Sequence, residues 1–242
     1  MQIVVNHLTR MQAGCMCVAG IDLETRLHVR PVLDRQMTIE MLSVHGGPFD
    51  MARVVELGET RFVGRVPEVE DQWFEAASAR HVGEMAGEEF WRLLEGIAQE
   101  KLGAIFGPDL ARVGPTCAVT ETGGLRSLGC YWAGGGRLFV DDSHERPRVR
   151  FSWRAGDQAL TVPVTDIRLY GEDHVTPSRA TIGWLAERLA AEPRVLVSVG
   201  LSRPYRKTAG DPPRHWLQIN NFHLKEHPCW SLADALTENG SP

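Results

Sequence analysis

The order of the short apolar segments is the feature that most restricts the fold of this chain. Strand candidates come in three runs of about five, about six and two, and two helix candidates separate the runs. A doubly wound parallel sheet requires strict alternation of strand and helix, which this order lacks. Two small, mostly antiparallel barrels, or one large β-rich domain, fit the order better.

Two segments have the apolar spacing of amphipathic helices. The first covers residues 88–102 and starts among acidic residues, which favour a helix N-terminus. The second covers residues 178–191 and ends before Pro193. A third, short helix is predicted over residues 37–44, and residues 50–66 are predicted to form one long strand or a hairpin.

Composition limits the class of protein. A hydrophobic fraction of 43% and a charged fraction of 24% are typical of a globular protein. No apolar run approaches the ~20 residues that span a bilayer. The five cysteines have no regular spacing, which argues against a disulfide scaffold. We expect a cytoplasmic protein without a signal peptide or a membrane segment.

The charges are unevenly distributed. The net charge is −5, which argues against duplex DNA binding through bulk electrostatics. Between Glu56 and Glu100, 11 acids stand against 4 bases, whereas residues 203–225 carry five bases and one acid. The sequence therefore allows a local site for an anionic ligand near the C-terminal end.

The last strand candidate, residues 215–224, carries an unusual polar set. The alternation from Trp216 to Asn220 predicts one apolar face and one face with amide and imidazole groups. These groups, together with the preceding arginines, suit contacts with bases, sugars or phosphates. An ordinary half-buried strand whose amides bind neighbouring loops accounts for the pattern equally well.

Motifs for several other chemistries are missing or incomplete. Neither a G-x-S-x-G nucleophile elbow nor a phosphate-binding loop occurs. The pair Cys15 and Cys17 and the pair His223 and His227 lack the spacing of a structural zinc site. No metal and no cofactor is predicted.

The N-terminal segment resembles a known family. It contains Val5-Asn6-His7-Leu8-Thr9-Arg10, Gly14, Cys17-Val18-Ala19-Gly20-Ile21 and Arg30-Pro31-Val32. These motifs are similar to the opening of the prokaryotic dual-OB-domain family. The resemblance is strongest over about the first 32 residues and departs at the first turn, where Asn6-His7 replaces the expected Asn-Ser. It implies a mostly β chain with a few helices and two small OB-like β-barrels packed together.

Under this resemblance we expect three regions. Residues 1–108 form an N-terminal OB-like barrel plus an acidic helical segment, residues 109–230 a C-terminal OB-like barrel with one helix, and residues 231–242 a flexible tail. OB barrels bind oligonucleotides across one face. The resemblance therefore implies a bacterial nucleic-acid- or nucleotide-binding module.

The leading hypothesis is a single-stranded nucleic acid or a nucleotide held between the N-terminal turn and the C-terminal strand. The residues assigned to phosphates are Arg203, Arg206, Lys207 and Arg214, those assigned to stacking are Tyr205, Trp216 and Phe222, and those assigned to base edges or sugars are Gln218, Asn220, Asn221 and His223. Asn6, His7, Arg10 and Arg30 complete the site. The predicted ligand-binding residues are Asn6, His7, Arg10, Arg30, Arg203, Tyr205, Arg206, Lys207, Arg214, His215, Trp216, Gln218, Asn220, Asn221 and His223.

Two alternatives from other classes stay open. One is an enzyme that acts on a nucleotide or a modified base, with His7 or His215 as a proton shuttle and no further catalytic residue predicted. The other is a protein-interaction subunit of a defence or repair system, in which the acidic span 68–100 docks a protein partner.

Overall fold

The computed structural model describes residues 1–12, 14–143, 145–156 and 158–238. Strands of the first third of the chain form one eight-stranded sheet, ordered β6-β7-β3-β2-β1-β5-β8, with β4 paired to β2. Its strands are β1 (Gln2–Arg10), β2 (Cys15–Asp22), β3 (His28–Val32), β4 (Met37–Thr38), β5 (Arg53–Glu56), β6 (Thr60–Phe62), β7 (Asp71–Phe74) and β8 (Arg80–Glu84). All pairs are antiparallel except β3 with β7.

The later strands form two further antiparallel sheets. The five-stranded sheet contains β9 (Ala111–Val113), β10 (Thr116–Thr120), β11 (Leu128–Gly134), β15 (Arg194–Leu201) and β16 (Arg214–His223), in the order β11-β15-β16-β10-β9. The three-stranded sheet contains β12 (Gly136–Asp141), β13 (Arg148–Ala155) and β14 (Gln158–Pro163). The prediction of a mostly β chain with two packed β units is confirmed.

The helices are α1 (Gly87–Ile97), α2 (Leu102–Phe106), α3 (Arg179–Ala191) and α4 (Leu232–Glu238). In the described ranges, no helix has the length and apolar character needed to cross a bilayer. Helix α3 begins after Ser178, whose side-chain oxygen accepts a hydrogen bond from the amide of Thr181. Helix α4 falls in the stretch expected to be a flexible tail, and its Leu232 and Ala235 are buried. Residues 239–242 of that stretch lie outside the described residues.

Three predicted elements are replaced by shorter ones. The helix predicted over residues 37–44 is wrong: the segment forms β4 and two single 3-10 turns, Ile39–Met41 and Ser43–His45. Residues 50–66 contain β5 and β6, which pair with different strands and not with each other. The helix predicted over residues 88–102 is divided into α1 and α2 by an extended segment that pairs with β11.

Two apolar cores follow this division, and they meet at a junction. The first core is built mainly from residues of the eight-stranded sheet, its loops and α1, and the second from residues that follow Lys101. Cys130, Ile167, Leu196 and Leu232 belong to the first core although they come from the second half of the chain. The two halves are therefore packed into each other. The exact domain limits at residues 108 and 230 stay a prediction.

Candidate functional site

Two β-bulges carry polar residues into the junction. The register between β1 and β2 shifts between Val5 and His7, and the register between β15 and β16 shifts between Ser198 and Val199. A bulge adds a residue to one strand and changes the direction of its side chain. Asn6 in β1 and Asn220 in β16 are the added residues. Asn6 and its neighbour His7 are both buried, as are the residues on either side of them, because β1 is covered on both faces.

Asn221 ties the two halves together. Its Oδ1 accepts from the amide of Leu8 at 2.7 Å, and its Nδ2 donates to the carbonyl of Leu8 at 3.2 Å. The side chain thus forms the same two bonds that a neighbouring strand would form with β1. Leu8 is fully buried, so its backbone groups would otherwise lack partners.

A polar group surrounds Asn6, which we call the junction cluster. Its members are Asn6, His7, His28, Cys130, Ser198, Asn220 and His223. Asn6 Nδ2 lies 3.3 Å from His28 Nε2, 3.4 Å from Cys130 Sγ and 3.3 Å from Ser198 Oγ. Asn220 Nδ2 lies 3.0 Å from His7 Nδ1. The cluster therefore links five strands of the two large sheets, β1, β3, β11, β15 and β16.

The protonation of the junction cluster argues against nucleophilic catalysis. Ser198 Oγ donates its hydrogen to the carbonyl of Asn6 at 2.8 Å, so His223 Nε2, also at 2.8 Å, must donate to Ser198. His223 is therefore no base for this hydroxyl. Burial raises the pKa of the Cys130 thiol to about 12, which keeps it protonated.

The histidines of the junction cluster are held neutral. Burial lowers the pKa of His28 from 6.5 to about 4, with a further contribution from the charge of Arg126. Burial also lowers the pKa values of His7 and His223 well below 6.5, and neighbouring positive charges add to the effect. Three buried atoms of the cluster have no hydrogen-bond partner among the described residues: Asn6 Oδ1, His7 Nε2 and His223 Nδ1.

Buried carboxylates bind two of the predicted ligand-binding arginines. Arg203 lies 2.7 Å from Glu68 Oε1 and 2.8 Å from Asp71 Oδ2. Asp71 Oδ1 also accepts from Arg30 Nε at 2.5 Å. Glu70, in the same run, accepts hydrogen bonds from Ser127 and Leu128. Glu68, Glu70 and Asp71, at the start of the acidic span, are therefore buried. The glutamates of the span from residue 75 onward are exposed to solvent.

Sequence reasoning missed the arginines of β13. Arg148 and Arg150 alternate with the buried Val149 and Phe151 and point away from the core. Burial lowers the pKa of Lys207, and the positive charges of Arg150 and Arg148 lower it further. The two arginines therefore lie near Lys207, in the turn between β15 and β16. The R-V-R-F alternation is visible in the sequence and could have identified them.

The same surface reaches the end of β1. Arg10 packs its guanidinium 4.5 Å from the ring centroid of Tyr170 and donates to the carbonyl of His174 at 3.1 Å. Burial raises the pKa of the Tyr170 hydroxyl, while the charges of Arg10 and Arg150 lower it. Both guanidiniums therefore lie near this ring.

We call this surface the basic face, with Arg10, Arg148, Arg150, Tyr205, Arg206, Lys207 and Arg214 as its residues. Among the described residues, Arg150 has one ion pair, to Asp141 at 3.6 Å, and Arg148, Arg206, Lys207 and Arg214 have none. Lys207 Nζ lies 3.6 Å from the ring centroid of Trp216. Tyr205 is 45% exposed.

The predicted site residues thus separate into groups instead of sharing one surface. Asn6, His7, Asn220, Asn221 and His223 are buried at the junction, and Gln218 donates to Asn220. Arg30 and Arg203 share the carboxylate of Asp71. Arg10, Tyr205, Arg206, Lys207 and Arg214 belong to the basic face.

Three predicted contact residues are enclosed by the protein itself. Trp216 is 5% exposed beneath Lys207. Phe222, expected to stack on a base, is fully buried, with its ring centroid 5.2 Å from that of Phe151. His215 is held between the carbonyls of Ser202 and Glu121, 2.9 and 3.1 Å from its ring nitrogens.

Comparison with known proteins gives a match over most of the chain. The model of a family described as a dual OB-containing domain matches residues 1–222. A search of the curated proteins finds no match. A solved structure of a murine DNA-binding protein bound to double-stranded DNA is 10% identical and covers 96% of this chain and 95% of that chain, with a TM-score of 0.31. That score is too low to support an argument.

Proposed function

Since the chain belongs to the dual OB-containing domain family, we propose that it binds nucleic acid, and that a single-stranded oligonucleotide lies along the basic face. OB barrels bind oligonucleotides across one face of the barrel. The basic face runs from the end of β1 across β13 to the turn between β15 and β16. It thus reaches from the N-terminal strand to the C-terminal hairpin.

One observation carries the proposal: five of the six cations of the basic face are not neutralised. In a chain of net charge −5, these five have no carboxylate partner among the described residues, and Arg150 pairs with Asp141. Such a surface attracts a polyanion, and binding releases its counterions. The paired cations Arg203 and Arg30 contribute little, because Asp71 already binds both.

Tyr205 supports a single-stranded ligand over a duplex. An exposed ring among cations offers a stacking surface for an unpaired base, and one such contact is worth roughly 1–3 kcal/mol. The amides that sequence analysis assigned to base edges are buried and bound to the protein. We therefore expect weak dependence on base sequence.

Fluorescence anisotropy with labelled single-stranded DNA and RNA of about ten nucleotides, at low and at physiological salt, tests the proposal. Tyr205→Ala should weaken binding about 5- to 150-fold, the range that one lost stacking contact represents. Tyr205→Phe keeps the ring and should bind like the parent. Arg148→Ala should weaken binding and reduce the slope of log K against log salt by about 0.7.

Arg92→Ala is the matched control. Arg92 is an exposed arginine on α1 that pairs with Glu88, far along the chain from the basic face. Its replacement changes the net charge as Arg148→Ala does and should leave binding nearly unchanged. Absence of binding to either oligonucleotide at low salt, or equal losses in the Arg92 and Arg148 variants, would contradict the proposal.

A further inference from the structure

A cavity of about 280 Å³ lies at the junction, and none of its lining residues belongs to the basic face. The turn between β2 and β3 forms one side, and the segments around α1, α2 and β11 form the other. Arg26, Gln99 and Arg126 are exposed at its edge, and Cys130 is buried. The cavity thus runs from solvent towards the junction cluster.

The polar groups of the cavity are mostly hydrogen-bond donors. Its two charged residues are Arg26 and Arg126, and no carboxylate lines it among the described residues. Neither arginine has an ion pair in the described part of the chain. Two guanidiniums without acids at one opening favour an anion, and phosphate accepts from them in a paired geometry.

His28 adds a neutral donor. Its Nε2 lies next to Asn6 Nδ2, which can only donate, so Nε2 is the acceptor and Nδ1 carries the hydrogen. His28 lines the cavity, and its low pKa agrees with this neutral form. Because this donor carries no charge, it suits an uncharged polar group of a ligand better than it suits a second phosphate group.

Arg26 occupies a backbone position that is unfavourable for arginine. Its φ is +61°, in the left-handed region where glycine or asparagine is the usual residue. Asp22 holds this turn by accepting from the amides of Glu24 and Thr25. A strained non-glycine residue at the edge of a cavity indicates that its side chain serves a purpose.

The remaining walls are apolar and closely fitted. Leu27, Ile97 and Ile105 line the cavity. At Gly129 a Cβ would lie 2.5 Å from Ile105, so no larger residue fits there without displacing this wall. The volume is at the lower end of small-molecule sites and excludes large ligands.

From this lining we propose that the cavity is a small-molecule site for a phosphate monoester of about mononucleotide size. The phosphate of this ligand binds between Arg26 and Arg126. The flat ring of the ligand packs against Leu27, Ile97 and Ile105, and His28 donates a hydrogen bond to the polar edge of that ring. This site is separate from the basic face and does not depend on oligonucleotide binding there.

Calorimetric titration of the full chain tests the site with AMP, CMP, GMP and UMP, and with inorganic phosphate and glucose 6-phosphate as smaller or fully polar probes. At least one mononucleotide should bind with one site per chain and more tightly than either comparison probe. Arg126→Ala should weaken this binding about tenfold or more, the loss that one charge-assisted hydrogen bond represents.

Arg26→Gly separates binding from folding. Glycine relieves the left-handed backbone, so the variant should melt at the same temperature as the parent or above it while it binds the mononucleotide about tenfold more weakly. Arg148→Ala, on the basic face, should keep the parent affinity for the mononucleotide.

Four results would overturn the proposal. They are no mononucleotide binding at millimolar concentration, unchanged affinity in both the Arg26 and Arg126 variants, equal or tighter binding of phosphate or glucose 6-phosphate, and loss of mononucleotide binding in Arg148→Ala alone. The last result would assign the nucleotide to the basic face.

Discussion

Acidification from pH 7 to pH 5 should destabilise the folded chain through His7, His28 and His223. Each has a lowered pKa in the folded protein, and that of His28 is about 4 against an ordinary value of 6.5. Below pH 6.5 the unfolded chain therefore binds protons that the folded chain does not bind. Stability from these groups is complete above about pH 6.5 and is lost as the pH falls towards 4.

The magnitude follows from the two pKa values of His28. Between pH 7 and pH 5 the loss is about 2 kcal/mol for His28, and the lowered pKa values of His7 and His223 change the stability in the same direction. The His28 contribution alone is a noticeable part of the 5–15 kcal/mol that stabilises a typical domain. Asp173, with a pKa of about 2, titrates below this window. Burial raises the pKa of Glu70, so the folded chain takes up a proton at this carboxyl more readily than the unfolded chain does as the pH falls. This effect opposes the loss of stability that the histidines cause.

Urea unfolding followed by tryptophan fluorescence, at pH 7 and pH 5 and constant ionic strength, measures the effect. His28→Gln should reduce the loss between the two pH values by about 2 kcal/mol. His81→Gln, at an exposed histidine of β8, is the matched control variant. Equal stability at both pH values, or the same loss in the parent and the His28 variant, would refute the reasoning.

Three further predictions concern the junction and the second core. Asn221→Ala should cost about 2–4 kcal/mol in urea unfolding, because two buried backbone groups of Leu8 lose their partners; a cost below 1 kcal/mol would contradict this. Arg168→Met should lower the free energy of unfolding by about 3–5 kcal/mol in the same measurement, since Asp166 is fully buried and would lose its ion pair. An unchanged free energy of unfolding would contradict this, because it would mean that Asp166 finds another partner. Native Cys130 should resist iodoacetamide at pH 8 in peptide mass spectrometry, and rapid labelling would contradict its raised pKa.

Local signals in the sequence predicted the elements that depend on local interactions. The segment predicted as helix 178–191 is α3, and Ser178 is its cap, because capping and apolar spacing act within one or two turns. The final strand was predicted over residues 215–224 and is found as β16, Arg214–His223. The family resemblance of the first 32 residues added the two-barrel architecture, which strand order alone left open.

The candidate site depended on partners that are distant in sequence, and it was predicted only in part. Period-two alternation places Asn220 and Asn221 on opposite faces, but the bulge in β16 directs both towards β1. Glu68 and Asp71 belong to an acidic run that resembles a solvated surface. Their burial is tolerable because Arg203, more than 130 residues away, pairs with both and Arg30 also pairs with Asp71. No spacing in the sequence reveals such pairs.

The amide of Asn221 also has a consequence for synthesis of the chain. Leu8 and Asn221 are separated by 213 residues, so β1 leaves the ribosome long before its partner exists. At about 5–20 residues per second, the wait is roughly 10–40 s. During that time the nascent N-terminal half presents an incompletely paired strand, which chaperones or an early ligand would have to shield from aggregation.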